Sequence, residues 1–154
     1  IEAANAVASS SSIPIVSEAA ALISALVKLT MEYEHNDGAV EWRIRWCRSI
    51  LAILRQASEI LGKGEDGTLE AGERPLLEDV YDSVRNLVGI IRTYEAKSKL
   101  LKLFVSSIFK RRQDEAEAII NHAISRLQLG LQVETRYKCK AIAQDVQDGL
   151  KNMK

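Results

Sequence analysis

The sequence predicts an all-α fold: an antiparallel four-helix bundle with an additional brace-like helix at the C-terminus. Ala, Leu, Ile, Glu, Lys and Arg are abundant, whereas aromatic residues make up 5% and prolines number two; this composition favours helix over sheet. Apolar residues recur at alternating steps of four and three residues through most of the chain, which is the spacing found in helical bundles. A chain of 154 residues is long enough to bury one core without disulfides.

The first long helix is predicted to begin between Pro14 and Ser17, with Ser17 as its N-cap, and to end at residues 36–38. Residues 1–13 precede it as an N-terminal segment with a serine-rich linker. Apolar side chains cover two faces of this helix, so it is either the most buried member of the bundle or a helix that meets lipid later. No uninterrupted run of 18 apolar residues occurs, so we expect no helix to span a membrane at rest.

The second helix is predicted over residues 39–61 and is followed by a glycine-rich loop at residues 62–67. The third helix begins at residues 73–76, with Pro75 tolerated in its first turn. Its apolar spacing continues beyond residue 94, but extra apolar residues fall off that seam. We therefore expect a kink or short connecting helix near residues 95–109 and a turn between Ser106 and Arg112.

The last helix is predicted to run from about Arg112 to Leu150. An unbroken helix of about 38 residues would measure roughly 57 Å, which exceeds the height of the bundle. We therefore expect a bend near Gly130. The bundle domain would then comprise residues 1–133, and residues 134–154 would pack back on it as the brace-like helix.

Nothing in the sequence indicates an enzyme, a metal site or a cofactor. The two histidines, His35 and His122, lack a second ligand at metal-binding spacing, and nucleophile motifs such as G-x-S-x-G are absent. Cys47 and Cys139 lie 92 residues apart without a CxxC motif, so two free, buried thiols of a reducing compartment are expected. We therefore predict no catalytic residue.

The formal charges sum to zero, but they are segregated along the chain. Residues 59–82 contain eight acids and two bases, whereas residues 92–112 contain seven bases and one acid. Apolar residues alternate with bases between residues 97 and 112, and six of the bases form the candidate lipid-binding set: Lys97, Lys99, Lys102, Lys110, Arg111 and Arg112.

This basic and apolar stretch has two interpretations. Bases beside a strongly apolar helical segment suit the surface of an anionic bilayer. Alternatively, the apolar residues belong to the bundle core and the bases form a solvated rim. Trp42 and Trp46, one turn apart, are in the same way either rim residues of the core or anchors at a headgroup interface. Nucleic acid is not an expected partner, because stacking aromatics are few and the isoelectric point is 6.9.

Several segments resemble one family of signalling domains. They are I-P-x-V-S-E-A-A at residues 13–20, R-x-R-W-C-R-S-I-L at 43–51, E-R-P-L at 73–76 and Y-E-A-K-S-K-L-L-K-L-F at 94–104. Together with the long final helix, they resemble the N-terminal four-helix (HeLo-like) domain of the mixed lineage kinase domain-like pseudokinase group and of related plant and fungal immune and cell-death proteins.

The resemblance implies a cell-death or innate-immune domain that oligomerises and binds or permeabilises anionic membranes. Its partners would be anionic lipids, further copies of itself and a regulatory domain of the same longer protein, from which a chain beginning at Ile1 is expected to be a piece. It would be cytoplasmic and recruited to the membrane on activation, when release of the brace helix exposes apolar helices. Arg43, Arg45 and Arg48 would be weaker lipid contacts. The alternative function is a protein-binding helical adaptor without membrane activity; a small helical enzyme ranks last.

Overall fold

Four α-helices make up the part of the chain that the structure describes. They are α1 (Pro14–Tyr33), α2 (Asp37–Leu61), α3 (Arg74–Glu95) and α4 (Lys99–Asn152). The structure is a computed structural model that describes residues 13–61 and 74–152, with the backbone alone at residues 134–139 and 141. No strand occurs within those ranges, and the predicted all-α bundle is confirmed. The predicted features in residues 1–12 and 62–67 lie outside the described residues.

The four helices form a ring in which α1 contacts α2 and α3, and α4 contacts α3 and α2. The short connections at residues 34–36 and 96–98 reverse the chain, so α1 and α2 are antiparallel, as are α3 and α4. Both connections lie at one end of the bundle, where Tyr33 and His35 line a cavity together with Tyr94 and Lys102. We call this the connection end.

Capping residues fix where the helices begin. Asn36 accepts a hydrogen bond from the backbone N–H of Ala39 through its Oδ1, at 3.0 Å, and so caps α2. The prediction of Ser17 as the N-cap of the first helix is wrong, because the cap is Ile13, which makes no side-chain cap bond. Pro14 follows at the first helical position, where its missing N–H costs nothing, and the Ile13 side chain is buried in the core.

The core lies where the apolar spacing predicts it in all four helices. Most of the predicted seam is buried in α1, α2 and α3. The last helix was predicted to have two seams: the first is buried (Ala116, Ile120, Ala123, Leu127 and Leu131), whereas the described side chains of the second are exposed (Val133, Ile142, Val146 and Leu150). The largest fully buried side chains include Ile23, Leu26, Leu54, Leu77, Leu87, Ile120 and Leu127. Each fully buried Leu or Ile contributes about 1.5–3 kcal/mol relative to exposure, so this shared core is what holds the ring together.

The predicted turn between Ser106 and Arg112 is wrong, because these residues lie inside α4. The chain turns at residues 96–98 instead, and Ser98 caps the new helix by accepting the N–H of Leu101 at 3.3 Å through Oγ. Residues 99–112 contain neither Gly nor Pro, and Leu and Lys are good helix formers. The helix propensity of these residues therefore outweighs the irregular spacing of their apolar positions.

The predicted bend near Gly130 is also absent, since α4 continues without interruption to Asn152. Gly130 serves close packing instead: a Cβ atom placed there would lie 2.7 Å from Cδ1 of Leu76, at the start of α3. Leu131 is the last buried residue of α4. Beyond it, the described side chains at residues 132–133, 140 and 142–152 are exposed. They do not pack back on the bundle as the predicted brace helix would.

A buried ion pair joins α2 to α4. The guanidinium of Arg43 donates a hydrogen bond to Oε1 of Glu117, and their side chains are only 8% and 14% exposed. Trp46, one turn further along α2, donates through Nε1 to Oδ1 of Asn121 at 2.7 Å. Because both partners advance in the same order, α2 and α4 run in parallel. The buried Nε of Arg43 lacks a hydrogen-bond acceptor among the described residues, so this charge depends on Glu117.

Removing one member of this pair is expected to be costly. Glu117→Ala leaves the Arg43 charge buried without its counter-ion, and we expect it to lower the free energy of unfolding by about 3–5 kcal/mol. The double variant Arg43→Met/Glu117→Leu removes both charges and should be markedly more stable than Glu117→Ala. Urea unfolding followed by circular dichroism measures both variants. Equal losses for the two would contradict the account.

The Cys47 thiol is expected to be unreactive in the folded protein. Cys47 is fully buried on α2, and burial, which disfavours the thiolate, raises its pKa to about 12. Iodoacetamide at pH 8 should therefore leave the peptide containing Cys47 unlabelled in buffer and label it fully in urea, as mass spectrometry would show. Rapid labelling of the native protein would mean that α2 opens locally.

Candidate membrane-contact surface

The first three turns of α4 expose a group of large apolar side chains. Leu103 and Phe104 are 76% and 75% exposed, which is far more than a core residue allows. We define the apolar surface as the five exposed residues of these turns: Leu100, Leu101, Leu103, Phe104 and Ile108. Apolar groups gathered in this way on one segment mark an interaction site more often than scattered ones do.

Helix geometry explains why these residues face solvent. The side of α4 that faces its neighbours carries Lys102, Val105, Phe109 and Gln113, which recur at steps of three and four and are all partly buried. Phe109 stacks on Tyr94 of α3, with ring centroids 3.8 Å apart. The five residues of the apolar surface occupy the remaining positions around the helix. The interpretation that they belong to the core is therefore wrong for these five.

The structure places the six predicted lipid-binding bases around this surface, but not as one patch. Lys99, Lys110, Arg111 and Arg112 are exposed, whereas Lys97 is partly buried in the connection before α4. By helical spacing, Lys99 and Lys110 lie along one edge of the apolar surface and Arg112 lies along the opposite edge. Arg111 lies one to two turns beyond Phe104 on the same face. None of these five forms an ion pair with another described residue.

Lys102 differs from the other five. Its Nζ forms an ion pair with Oε2 of Glu95 at 2.8 Å and lies 5.6 Å from the ring centroid of Tyr94. Both contacts point it toward the bundle, away from the apolar surface. Its charge is thus already compensated within the protein.

Of the three weaker lipid-binding candidates on α2, one is buried in the bundle and two are exposed. Arg43 is buried in the ion pair with Glu117 and is not accessible to a headgroup, whereas Arg45 and Arg48 are exposed. Trp46 is partly buried and hydrogen-bonded, as a rim residue of the core would be. Trp42 stacks on it with a centroid distance of 5.6 Å and remains 48% exposed.

Exposed apolar residues of α1 and α2 lie at the same end of the bundle. Met31 and Tyr33 stand at the end of α1, and Trp42 lies in the second turn of α2. Met31 and Tyr33 did not enter the sequence-based site, because only the chain reversal at residues 34–36 brings them to the connection end. A hydrogen bond with Glu32 and the charge of that carboxylate raise the pKa of Tyr33 above its usual value.

A groove on the α3 side adjoins the apolar surface. It has a volume of about 700 Å³ and is lined by residues that include Arg85, Lys97, Ile108 and Arg112. Arg85 was missed by the sequence analysis, because it lies on α3 and joins the other bases only through the packing of α3 on α4. No sequence signal distinguishes it from the other exposed charges of α3.

The apolar surface is exposed without any displacement of the C-terminal residues. Along one straight helix, Phe104 and Ile142 are about 57 Å apart. The described residues beyond Val133 therefore lie far from the connection end and cover none of the apolar surface. The expected release of a brace helix is not what exposes these side chains in this structure.

Helix α1 is the one helix of the described chain that is long and apolar enough to cross a membrane, with a mean hydropathy of 1.5 over 18 residues. Buried core helices pass the same test, and α1 contributes Val16, Ala20 and Ile23 to the core. Its composition is therefore weak evidence for a membrane span. Within the described residues, no group of three His, Cys, Asp or Glu side chains could hold a metal ion.

Comparison of the chain with protein-family models, with curated proteins and with solved structures finds no match. The surface must therefore be interpreted from its own geometry and charge.

Polar substitution within the apolar surface should leave stability unchanged. We expect Leu103→Asn/Phe104→Asn to alter the free energy of unfolding by less than about 0.5 kcal/mol, as is usual for exposed positions. The comparison variant Phe109→Asn should lose several times more, because Phe109 is stacked on Tyr94. Urea unfolding distinguishes the two positions. A large loss at residues 103 and 104 would mean that these side chains are packed in solution.

Proposed function

We propose that this chain is a non-catalytic helical module that binds anionic membranes through the connection end of its bundle and that self-associates. The observation that carries the proposal is the apolar surface of α4, whose five large side chains are exposed between edges that carry unpaired bases. An amphipathic segment with this arrangement places its apolar side chains at the headgroup boundary.

Hydrophobic transfer of the apolar surface and electrostatic attraction of the bases both favour an anionic membrane over water. Transfer of a Leu, Ile or Phe side chain out of water contributes roughly 1.5–3 kcal/mol when burial is complete, and five such side chains are exposed here. Each Lys or Arg near an anionic surface contributes about 1 kcal/mol. This electrostatic contribution comes from the five bases without an ion-pair partner in the described chain: Lys97, Lys99, Lys110, Arg111 and Arg112. Lys102 is already paired with Glu95.

The geometry of the connection end supports a defined orientation on the bilayer. Trp42 and Tyr33, which are exposed at this end, belong to the residue types that anchor proteins at headgroup level. Met31 adds a flexible apolar side chain beside them. In this orientation the far end of α4 is held away from the membrane.

The biological setting of the proposal comes from the family resemblance alone. That resemblance implies a cell-death or innate-immune domain, located in the cytoplasm, recruited to the membrane on activation and controlled by a regulatory domain of the same longer protein. Permeabilisation belongs to this part of the proposal. The alternative is an adaptor that binds only proteins, and the membrane experiment below decides between the two.

Vesicle co-sedimentation tests the membrane contact. The wild type should bind vesicles that contain phosphatidylserine and not neutral ones, and added salt should weaken binding because it screens the charges. Lys99→Glu/Lys110→Glu/Arg111→Glu removes three attractive charges and adds three repulsive ones. We expect it to bind more than about a hundredfold more weakly, since 1.4 kcal/mol corresponds to tenfold.

The matched control is Arg55→Glu/Lys140→Glu/Lys151→Glu, which reverses three exposed bases away from the connection end and should bind as the wild type does. Leu103→Asn/Phe104→Asn should also bind weakly while staying folded. Dye release from loaded vesicles measures permeabilisation separately. If the wild type binds no anionic vesicle at low salt, the membrane proposal is wrong and the adaptor function is favoured.

A further inference from the structure

One polar residue interrupts the apolar surface near its centre. Ser107 is exposed and lies one helical turn beyond Leu103 and Phe104, the two most exposed large apolar side chains of the described chain. Lys110 and Arg111 follow Ser107 at three and four residues and therefore lie one turn further along the same side of α4. A serine hydroxyl thus stands between apolar residues and bases that the proposed membrane contact uses.

The hydroxyl of Ser107 is accessible to a reagent or an enzyme. It forms no hydrogen bond with another described residue, whereas the neighbouring Ser106 donates through Oγ to the carbonyl of Leu103 at 3.3 Å. By helical spacing, Ser106 also lies beside the partly buried Lys102 and Gln113. Ser107 is therefore the more accessible of the two adjacent serines.

The helical turns that carry Ser107 are only weakly held to the bundle. No residue between 92 and 115 is fully buried, and the first buried residue of α4 is Ala116. The stacking of Phe109 on Tyr94 is one of the few contacts that join these turns to α3. Helix ends with few buried apolar contacts open locally at a small part of the free energy of global unfolding. An enzyme that modifies an extended chain can therefore reach Ser107 while the core stays folded.

The charges around Ser107 suit a protein kinase that selects basic substrates. Kinases discriminate among substrates partly by the pattern of charges beside the acceptor hydroxyl. Six bases and no acid occur between residues 96 and 113, and Ser107 lies between the three bases of residues 97–102 and the three of residues 110–112. Ser98, the other serine beside these bases, caps α4 through its Oγ and is thus already engaged.

We infer that Ser107 is a phosphorylation site whose modification abolishes the membrane contact of α4. In the transfer, Oγ of Ser107 attacks the γ-phosphorus of a nucleoside triphosphate bound to the kinase. The Oγ–P bond forms, the bond from the γ-phosphorus to its bridging oxygen breaks, and nucleoside diphosphate leaves, while the hydroxyl proton passes to the catalytic carboxylate of the kinase. This inference concerns the regulation of the proposed membrane contact and rests on that proposed function.

A phosphate on Ser107 opposes both contributions to membrane binding. It adds a charge of about −1.5 to −2 near neutral pH, which offsets the attraction of roughly two bases and is repelled by anionic headgroups. It also places a strongly hydrated group beside Leu103 and Phe104, so their transfer out of water would require desolvation of the phosphate. Phosphorylation releases other basic membrane-binding segments by the same electrostatic effect.

The same phosphate is compatible with the folded bundle. Ser107 lies on the side of α4 away from Phe109, which faces α3. Lys110 and Arg111 stand at the positions where a preceding negative charge stabilises a helix through ion pairs. The modified chain should therefore keep the circular dichroism spectrum and the urea midpoint of the wild type. The phosphate acts on the surface of α4 and leaves the core unchanged.

Genetic encoding of phosphoserine measures the effect of the phosphate without a kinase. Ser107→phosphoserine should bind phosphatidylserine vesicles about thirtyfold more weakly than the wild type, because the attraction of two bases is offset. Treatment with a phosphatase should restore binding. Ser107→Ala, which keeps every charge, should bind as the wild type does.

Ser125 provides a matched control for the position of the phosphate. It is exposed on α4 and lies 18 residues beyond Ser107, which is five turns along the same face and about 27 Å away. This distance is about three Debye lengths at physiological ionic strength. Ser125→phosphoserine carries the same added charge and should therefore bind vesicles within about twofold of the wild type.

Treatment of the folded chain with a kinase tests whether Ser107 is reached. The catalytic fragment of protein kinase C, supplied with ATP before vesicles are added, should phosphorylate Ser107, as tandem mass spectrometry would locate. The treated wild type should then lose vesicle binding, whereas treated Ser107→Ala should retain it. A folded chain that stays unmodified at Ser107 overturns the assignment of the site.

The unmodified protein separates failure of this inference from failure of the proposed function. If the unmodified wild type binds no anionic vesicle, the membrane contact is wrong and the regulatory role of Ser107 is wrong with it. If the unmodified wild type binds and Ser107→phosphoserine binds equally well, the membrane contact stands and the inference alone is overturned. Equal losses for phosphoserine at positions 107 and 125 would also overturn it, because the effect would then not depend on the apolar surface.

Discussion

Helix α4 contains 54 residues, whereas the three helices that pack with it contain 20, 25 and 22. A helix of that length measures about 81 Å, more than twice the length of any of its partners. Only its middle part, from Ala116 to Leu131, supplies fully buried residues to the core. The first turns and the last turns must therefore expose side chains that a shorter helix would bury. The exposed apolar side chains at the two ends of α4 lie outside this middle part.

Most of the exposed large apolar residues of the described chain belong to α4, and Leu103 and Phe104 are the most exposed of them. The core is filled by apolar seams from all four helices, and the buried Thr30 Oγ1 donates to the carbonyl of Leu26 at 2.8 Å. Against this background, Leu103 and Phe104 are exceptions that the packing does not require. Their exposure, beside bases without ion-pair partners in the described chain, is the pattern expected where water is not the final environment of a surface.

The buried Arg43–Glu117 ion pair links α2 to α4 at one level of the bundle. Arg43 donates to Glu117, and Trp46, one turn further along α2, donates to Asn121, so two polar contacts join the parallel helices α2 and α4. Such pairs contribute little net stability but penalise alternative arrangements strongly. The pair lies in the turns where the connection end begins, next to the cavity lined by Lys102 and Gln113. The charges at that end therefore divide into those that position helices and those that remain available to a partner.

The sequence by itself determined the helical class and the core, because both follow from a local property: the spacing of apolar residues along each helix. The first predicted seam of α4, from Ala116 to Leu131, is buried as predicted, whereas Val133, Ile142, Val146 and Leu150 of the second are exposed. It also located the basic and apolar stretch at residues 97–112. The predicted length of the last helix was the least accurate part of the prediction. Gly130 was interpreted as the site of a bend, whereas in the structure it lets α4 approach Leu76 of α3 closely.

Only the tertiary structure decided which of those residues face outward and what lies beside them. Lys102 and Lys97 differ by five residues and have the same chemistry, yet one is paired with Glu95 and the other lines the groove. Arg85 joins the groove from another helix. Met31 and Trp42 lie at the same end of the bundle as the apolar surface because both chain reversals are at that end. Such neighbourhoods depend on which helices are adjacent in the ring, and the period of a single helix carries no information about that.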